Sequence, residues 1–589
     1  MSRRAVIPAG PSAAAAPILD GYAAWVAEHD TLSDDDRAAI RADMAKMGYR
    51  PAISLLLPLG FGEPAGGSDT LAAVQAQLYP NWELLIAGQS APHEAVVTVA
   101  ARADPRIRRV AMWPHEDAAD AVNAALEAAT GDFAAVLLPG DRLAEHALYE
   151  VVVALAARPD AELLYTDEDR IDAAGARTAP RFKTGWDPDL LLAQDCIGAL
   201  AVWRLGVLRA AGGWRHGFGR AAAYDLALRI GATLLPDRVQ HLPAVLCHRP
   251  GGADGSIRDR MVGEDAMAAE RAVRERLPPT VAIAPAPLWP AGRRIRWPLP
   301  DRLPLVSVIV PTRDRAELLR ACVSGVLRRT DYPALEVLIV DNDSREAQTE
   351  VTLGALAADA RVRILRHPGP FNFPAINNGA VAQARGEVVV LLNNDVEVAG
   401  PDWLRELVAH ALRPDVGAVG AKLLYGDGTV QHAGIVFGPG LAATCQMRRA
   451  QRADPGYEGQ GALTRTVLAV TGACLAMRKS VYLEVDGMNA SHFAIAFNDL
   501  DLCLRLGELG YRIVWTPFAE LFHLESQTRG VPDTPEKQAQ EQREVEHLWY
   551  GWHHVFAADP YHNANLSCDW WTPLHLCPPR RRRPWQAPP

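Results

Sequence analysis

The chain has 589 residues, 49% of them hydrophobic and 22% charged, with a formal net charge of −10. That length exceeds what one core can serve and implies about two to four domains. The acidic balance argues against a nucleic-acid partner, and eight scattered cysteines with no CxxC pair argue against zinc or a disulfide framework and for a reducing compartment.

The N-terminal stretch MSRRAVIPAGPSAAAAPILDGY is broken by prolines and lacks the sustained apolar core of a signal peptide. Residues 1–48 read as a helical cap. From 49 to 290, short apolar runs such as ISLLLP (Ile53–Pro58) and FAAVLLPGD (Phe133–Asp141) alternate with amphipathic stretches, and YTDEDRID (Tyr165–Asp172) reads as a polar turn after a strand. A Pro/Arg/Trp-rich linker is expected at 291–304 and a second domain at 305–530. The segment 531–589 opens with a charged helix, Pro535–Trp549, and becomes aromatic. It ends in the Arg580–Arg583 run, which reads either as a solvated tail or as a weak contact with anionic lipid. No run reaches the ~18 apolar residues of a membrane helix. The expected location is therefore cytoplasmic, with peripheral association at the inner face of the plasma membrane as the second reading of the Arg run.

The two large segments repeat one another. ISLLLP, YPNWELLIAGQS, DPRIRRV, ATGDFAAVLLPGD and AYDLALR in the first recur as VSVIVP, YPALEVLIVDNDS, DARVRIL, ARGEVVVLLNNDV and DLDLCLR in the second. The separation is the same at Ser54/Ser307 and Tyr79/Tyr332, and grows by two residues at Gly131/Gly386. A repeat this long means duplicated domains. The βαβα order in each predicts an α/β fold: two tandem, Rossmann-like domains with mostly parallel sheets flanked by helices. Ligands of such sheets bind at the carboxyl ends of the strands, where Asp341, Asn393 and Asp395 fall.

In the second domain, Asp341, Asn393-Asn394-Asp395, Asn498-Asp499-Leu500-Asp501 and His523 together offer oxygen and imidazole ligands for a hard divalent cation, Mg2+ or Mn2+. One or two protein carboxylates suffice when a diphosphate supplies the rest, leaving another acid free to act as a base. Each residue also has a plainer reading: Asp341 and Asp395 as turn formers, Asp499 and Asp501 as helix caps, His523 as a packed histidine. A dinucleotide-dependent dehydrogenase would need GxGxxG after its first strand, which VSVIVPTRDR lacks.

VSVIVPTRDR, LIVDNDS, INNGAVAQARGEVVVLLNNDVEV, TGACLAM and FNDLDLCLRLGELGYRIVWTPFAELFHLES, in that order, resemble the bacterial family-two inverting glycosyltransferases. The resemblance implies a GT-A fold and a nucleotide-diphosphate sugar donor. It also implies a glycan or lipid-linked glycan acceptor and a place in O-antigen, rhamnan or other surface-polysaccharide synthesis. It casts Asp499 as catalytic base and Asp395 with His523 as metal ligands. Thr312, Asp341, Asn377 and Asn393 fall on the donor side, and Gly472 and Asp501 on the acceptor side. Asn393 replaces the first acid of the family's Asp-x-Asp motif.

With LIAGQS aligned on LIVDND, the first domain has Gly88 at the place of Asp341; counted from the shared glycines, it has Leu138 at Asn393 and Gly140 at Asp395, with Asp141 one residue away. Ala223 stands at Asp499, and His248 matches His523 with one gap. Glycine and alanine neither ligate metal nor accept a proton, so the first domain is expected to keep the fold without catalysis. Two other functions stay open on sequence alone: a bifunctional polymerase with two active sites, and a non-catalytic glycan-binding or scaffold protein.

Overall fold

The structure, a computed structural model, describes residues 21–59, 66–88, 93–111, 118–251, 264–439, 442–524, 534–569 and 574–586. The stretch 1–20, on which the signal-peptide reading rests, lies outside the described residues, as does the Trp570-Trp571 pair.

The first sheet contains β1 (Ile53–Leu59), β2 (Trp82–Gly88), β3 (Ile107–Val110), β4 (Phe133–Val136) and β5 (Arg142–Leu143), then β6 (Leu163–Ile171), β7 (Arg177–Arg181), β8 (Ala201–Arg204) and β9 (Val239–Pro250). Its spatial order is β3-β2-β1-β4-β8-β6-β9-β5, with β7 on β6. A hairpin follows, β10 (Ala282–Ala286) and β11 (Trp289–Arg296). The second sheet is built from β12 (Val306–Thr312), β13 (Leu335–Asp341), β14 (Val362–Arg366), β15 (Val388–Leu392), β16 (Val396–Val398) and β17 (Val416–Leu424). Later in the chain come β18 (Val430–His432), a small separate pair β19 (Ile435–Gly438) and β20 (Ala442–Cys445), and then β21 (Arg465–Val467), β22 (Cys474–Arg478) and β23 (Arg512–His523). The second sheet's order, β14-β13-β12-β15-β22-β17-β23-β16, is the first sheet's order strand for strand. The central parallel strands β1, β12, β13 and β15 are buried along their whole length because helices cover both faces, and each sheet has a separate apolar core on each side.

The duplication reaches individual hydrogen bonds at the lower edge of each sheet. Ser54 donates to Glu83 at 2.7 Å and accepts from the Gly131 amide at 2.9 Å; Ser307 does the same with Glu336 and Gly386 at the same distances. The glycines are required there, because a Cβ on either would sit 2.7 Å from the serine oxygen. Tyr79 donates to Pro51 O and Tyr332 to Pro304 O, both at 2.8 Å.

Several sequence expectations change. The 291–304 segment opens inside β11 rather than as a free linker, and Arg294 of that strand pairs with Glu406 at 2.8 Å. The C-terminal helix runs on through the aromatic stretch to Ala557. YTDEDRID is no turn: it is the buried core of β6, with Asp167, Glu168 and Asp169 at most 1% exposed. The arginine run is not a solvated tail: Arg580 donates to Asn563 O, Arg581 forks onto Glu150 at 2.5 and 2.9 Å, and Arg583 lies 3.7 Å from Asp36. No helix of the described residues is long and apolar enough to cross a membrane.

The two domains are joined by buried polar contacts. Asp189 of the first accepts from Arg413 at 2.6 Å and from Arg512 at 2.5 Å, both in the second. Asp187 takes the amide and hydroxyl of Thr466 at 2.7 and 2.9 Å. Burial alone would push the Asp189 carboxyl up, but the two guanidinium groups outweigh it and hold it well below the usual carboxylate range. Asp189→Ala leaves both arginines with Asp415 as their remaining direct ion pair. It should cost about 3 kcal/mol in urea denaturation of the intact chain, where breaking a buried pair removes a partner without removing the desolvated charge.

Candidate active site

β15 is buried to its last residue, Leu392, which pairs with Cys474. The next amide, of Asn393, donates to Ala473 O at 3.0 Å, so the polar end of β15 lies against the turn 471–473. The chain then turns into β16, whose first residue, Val396, pairs with His523. Ladder register thus brings the buried Asp395 to His523. Asp395 Oδ1 lies 3.2 Å from His523 Nε2, yet that oxygen has no hydrogen-bond partner. A buried carboxylate oxygen without a donor is costly. Opposed to an imidazole nitrogen, it is in the arrangement a shared hard cation would satisfy. Asn393 adds its side-chain amide 3.4 Å from the same nitrogen. Among the described residues no group of three or more His, Cys, Asp or Glu could hold a metal ion. The pair therefore fits a cation that takes its remaining ligands from a substrate diphosphate and water.

Asp499 stands in the first turn of the helix Asn498–Glu508, after Phe497 in a left-handed conformation (φ 59°). Its Oδ2 accepts the Gly472 amide at 2.8 Å and its Oδ1 the Leu500 amide at 2.9 Å. Burial raises its pKa; the bonds from Gly472, Leu500 and Thr471 pull down without cancelling the rise. Gly472, expected on the acceptor side, thus serves through its amide as the holder of Asp499. The candidate base is tied through Gly472 to the turn 471–473, and the Asn393 amide, two residues before Asp395, rests on the same turn through Ala473 O.

The loop before Asp499 is clamped from the C-terminal helix Pro535–Ala557. Glu544, 2% exposed, accepts the Ala496 amide at 2.6 Å and the Ile495 amide at 3.1 Å. Sequence reading missed Glu544, because one acid in a charged helix gives no sign of burial.

On the donor side, Asn394 Nδ2 donates to Thr312 Oγ1 at 3.0 Å. Asp341 ends β13 with its carboxylate on Arg366, 2.7 Å away. The loops above are strained and cross-pinned: Asp314, Arg315 and Asp343 have φ of 55–57°, and Asp314 accepts the amides of Arg345 and Glu346 at 2.7 and 2.9 Å. Such strain clusters at functional rims. Asn377 is not part of this surface: it is fully buried and donates to Phe373 O of its own helix at 2.8 Å. Asp501 is likewise an anchor rather than an acceptor contact. It takes Arg505 at 2.8 Å and the Trp552 indole at 3.3 Å, while Arg505 also holds the carbonyls of Val485 and Gly487. The first domain repeats this device with Asp225, Arg229 and the carbonyls of Ala211 and Gly213.

The first domain's upper edge is different. Gly88 pairs with Leu59 as Asp341 pairs with Thr312, but at φ 95° and with any Cβ falling 2.3 Å from Leu59 O, no side chain could be restored. One of the counted equivalences shifts, while Gly140 stays at the place of Asp395. At the separation set by Gly131 and Gly386, Asp169 pairs with His248 as Leu424 pairs with Phe522, so Arg249 rather than His248 falls at His523. His248 instead meets Asp169 at 2.6 Å. Asp141, not Gly140, presents the carboxylate, and it faces Arg249 at 3.3 Å. A guanidinium stands in the first domain where the second has an imidazole.

Residues 307–485 match the sequence model of Glycosyl transferase family 2. An uncharacterized protein of Sinorhizobium fredii, y4gI, is 41% identical over 532 residues, covering 88% of this chain and 58% of that protein. O-antigen biosynthesis protein RfbC of Myxococcus xanthus is 38% identical over 560 residues, covering 94% of this chain and 43% of that protein. The N-acetylglucosaminyl-diphospho-decaprenol L-rhamnosyltransferase of Mycobacterium tuberculosis is 27% identical over 258 residues, covering 39% of this chain and 78% of that protein. The chain spans about half the length of the first two relatives.

Glu544→Ala removes the clamp on the Ile495–Ala496 amides. Hydrogen exchange should accelerate in peptides covering 493–500 while those of β12 and β15 stay protected, with a stability loss of about 1–3 kcal/mol for the two orphaned donors.

Proposed function

We propose that this chain, whose residues 307–485 form a glycosyl transferase family 2 domain, is an inverting glycosyltransferase with one active site, in its second domain. The donor is a nucleotide-diphosphate sugar and the acceptor a hydroxyl of a glycan or lipid-linked glycan. The setting is surface-polysaccharide synthesis, which the name of the Myxococcus relative supports. The observation that carries the reading is that one turn, 471–473, holds Asp499 through Gly472 and meets through Ala473 the strand end that delivers Asp395 to His523.

Asp499 takes the proton of the acceptor hydroxyl. The freed oxygen pair attacks the anomeric carbon as the bond to the diphosphate oxygen breaks, and the diphosphate leaves with that electron pair. Attack and departure on opposite faces invert the configuration. A raised pKa suits this task, since a more basic carboxylate captures the proton more readily. The Gly472 and Leu500 amides hold the carboxylate in place. When bound by Asp395 and His523, Mg2+ or Mn2+ supplies neutralisation of the charge on the leaving diphosphate.

A two-site polymerase is disfavoured by the closed Gly88 position, by Ala223 and by the Asp141–Arg249 ion pair. A purely scaffolding role would leave the orphaned Asp395 oxygen without a reason. A screen of nucleotide sugars with Mn2+ for thermal stabilisation of the full chain identifies the donor. Asp395→Ala in the full chain should then abolish turnover, whereas a two-site enzyme would keep the first domain's share.

Asp499→Asn should cut turnover by about 10²–10⁴-fold with donor stabilisation retained; turnover near wild type would overturn the assignment. The active form is the carboxylate, so activity is present above the raised pKa and is lost as pH falls through it. Thr471→Val removes a bond that lowers that pKa, so the acid limb of the kcat profile should move to higher pH; an unmoved limb counts against Asp499 as the titrating base.

A further inference from the structure

We propose that Gln431 is a positioning residue that fixes the tautomer of His523 and so keeps the Asp395–His523 pair open to a cation; this rests on the metal-site reading above. Gln431 lies on β18, across β17 from β23, and is 7% exposed. Both ends of its amide reach His523. Nε2 donates to the His523 carbonyl at 3.3 Å, and Oε1 lies 2.7 Å from the His523 Nδ1.

The proton's position follows from what each partner can do. A backbone carbonyl only accepts, so the NH2 end of Gln431 must face it. The oxygen end then faces the ring, and Nδ1 must carry the hydrogen. The lone pair of the neutral ring is left on Nε2, the nitrogen that faces Asp395 Oδ1 at 3.2 Å and Asn393 Nδ2 at 3.4 Å. In the other tautomer Nε2 would carry the hydrogen and have no lone pair to offer a cation. Gln431 prevents this, and beside that nitrogen the Asp395 oxygen is itself without a hydrogen-bond donor. Outer partners of ligating histidines act in this way, setting tautomer and ring orientation.

The first domain supplies an internal comparison. Glu168 of β6 pairs with Arg181 as Leu423 of β17 pairs with His432, so Pro180 stands where Gln431 stands. Arg249 stands where His523 stands, with its guanidinium on Asp141. Histidine and glutamine are absent together, as expected if the amide serves the imidazole.

The test is Mn2+ binding to the full-length protein with excess UDP, dTDP or GDP, read by water-proton relaxation enhancement, with thermal melting run alongside. Gln431→Met should weaken Mn2+ about 10–100-fold, the usual loss for an outer partner. Gln431→Glu, which still accepts from Nδ1, should bind like the wild type. Wild-type affinity in Gln431→Met, with binding abolished in Asp395→Ala, overturns the proposal and spares the site. Equal loss in Gln431→Met and Gln431→Glu with intact melting overturns it too, since the acceptor would then be irrelevant. If Gln431→Met melts early, Gln431→Glu decides: native affinity supports the proposal and lost affinity overturns it. Unchanged binding in Asp395→Ala sinks the metal-site reading itself.

Discussion

Three consecutive carboxylates of β6, Asp167, Glu168 and Asp169, are buried almost completely. Ionised groups in such a place must be paired, or the desolvation penalty of several kcal/mol each goes unanswered. The partners come from every part of the chain. Asp169 takes Tyr22 of the N-terminal helix, Arg177 of β7 and His248 of β9. Glu168 takes Lys183 and the Ala199 amide, with Arg181 and Arg249 close by. Asp167 takes His241 and, from the C-terminal segment, Asn563. Arg181 passes the network on to Glu458 of the second domain. Such a cluster contributes little net stability against an apolar alternative. What it does is fix geometry, because only one arrangement of five distant segments satisfies it.

The duplicated sheets divide between what folding needs and what chemistry uses. At the lower edge, Ser54/Glu83/Gly131 and Ser307/Glu336/Gly386 are the same device at the same distances. The helix anchors Asp225–Arg229 and Asp501–Arg505 match as well. At the upper edge nothing chemical matches. Gly88 has closed the Asp341 position, Ala223 replaces Asp499, and Arg249 places a fixed cation on Asp141. A guanidinium cannot be deprotonated or exchanged, so the first domain carries at this spot the charge balance that its twin would obtain from a metal.

Much of this was legible in the sequence. β-branched runs ended by Pro or polar clusters marked the strands, and the repeated order of motifs marked two copies of one fold. Asp395 could be picked out as a candidate because strand ends face the ligand side of such sheets, and Asp499 by the resemblance of its motif. Other features were hidden for physical reasons. TDED reads as a turn because its partner cations are spread from residue 177 to 249, and burial of charge has no local signature. The Arg249 equivalence was missed because 118 residues separate it from Gly131 whereas 137 separate His523 from Gly386, so the strand pairing and not the count along the chain aligns the two. Asn377 and Asp501 have ligand-like chemistry but point into their own helices and neighbours. Gln431 lies in GTVQHAGIV, an ordinary turn and short strand, and its role depends on a histidine far along the chain.

The C-terminal segment links the two ends of this design. Its helix clamps the Asp499 loop through Glu544 and meets Asp501 through Trp552. Asn563 and Asn565 then enter the acidic cluster of β6, and Arg581 and Trp585 close on Glu150 and Asp36 of the N-terminal part. One strand of chain therefore connects the loop that carries the proposed base to a charge network that the first domain alone can supply. A catalytic carboxylate must be held to a fraction of an ångström to act, and a loop with a left-handed, non-glycine residue just before its helix does not hold itself. The first domain, without chemistry of its own on this reading, is the fixed body against which that loop is braced.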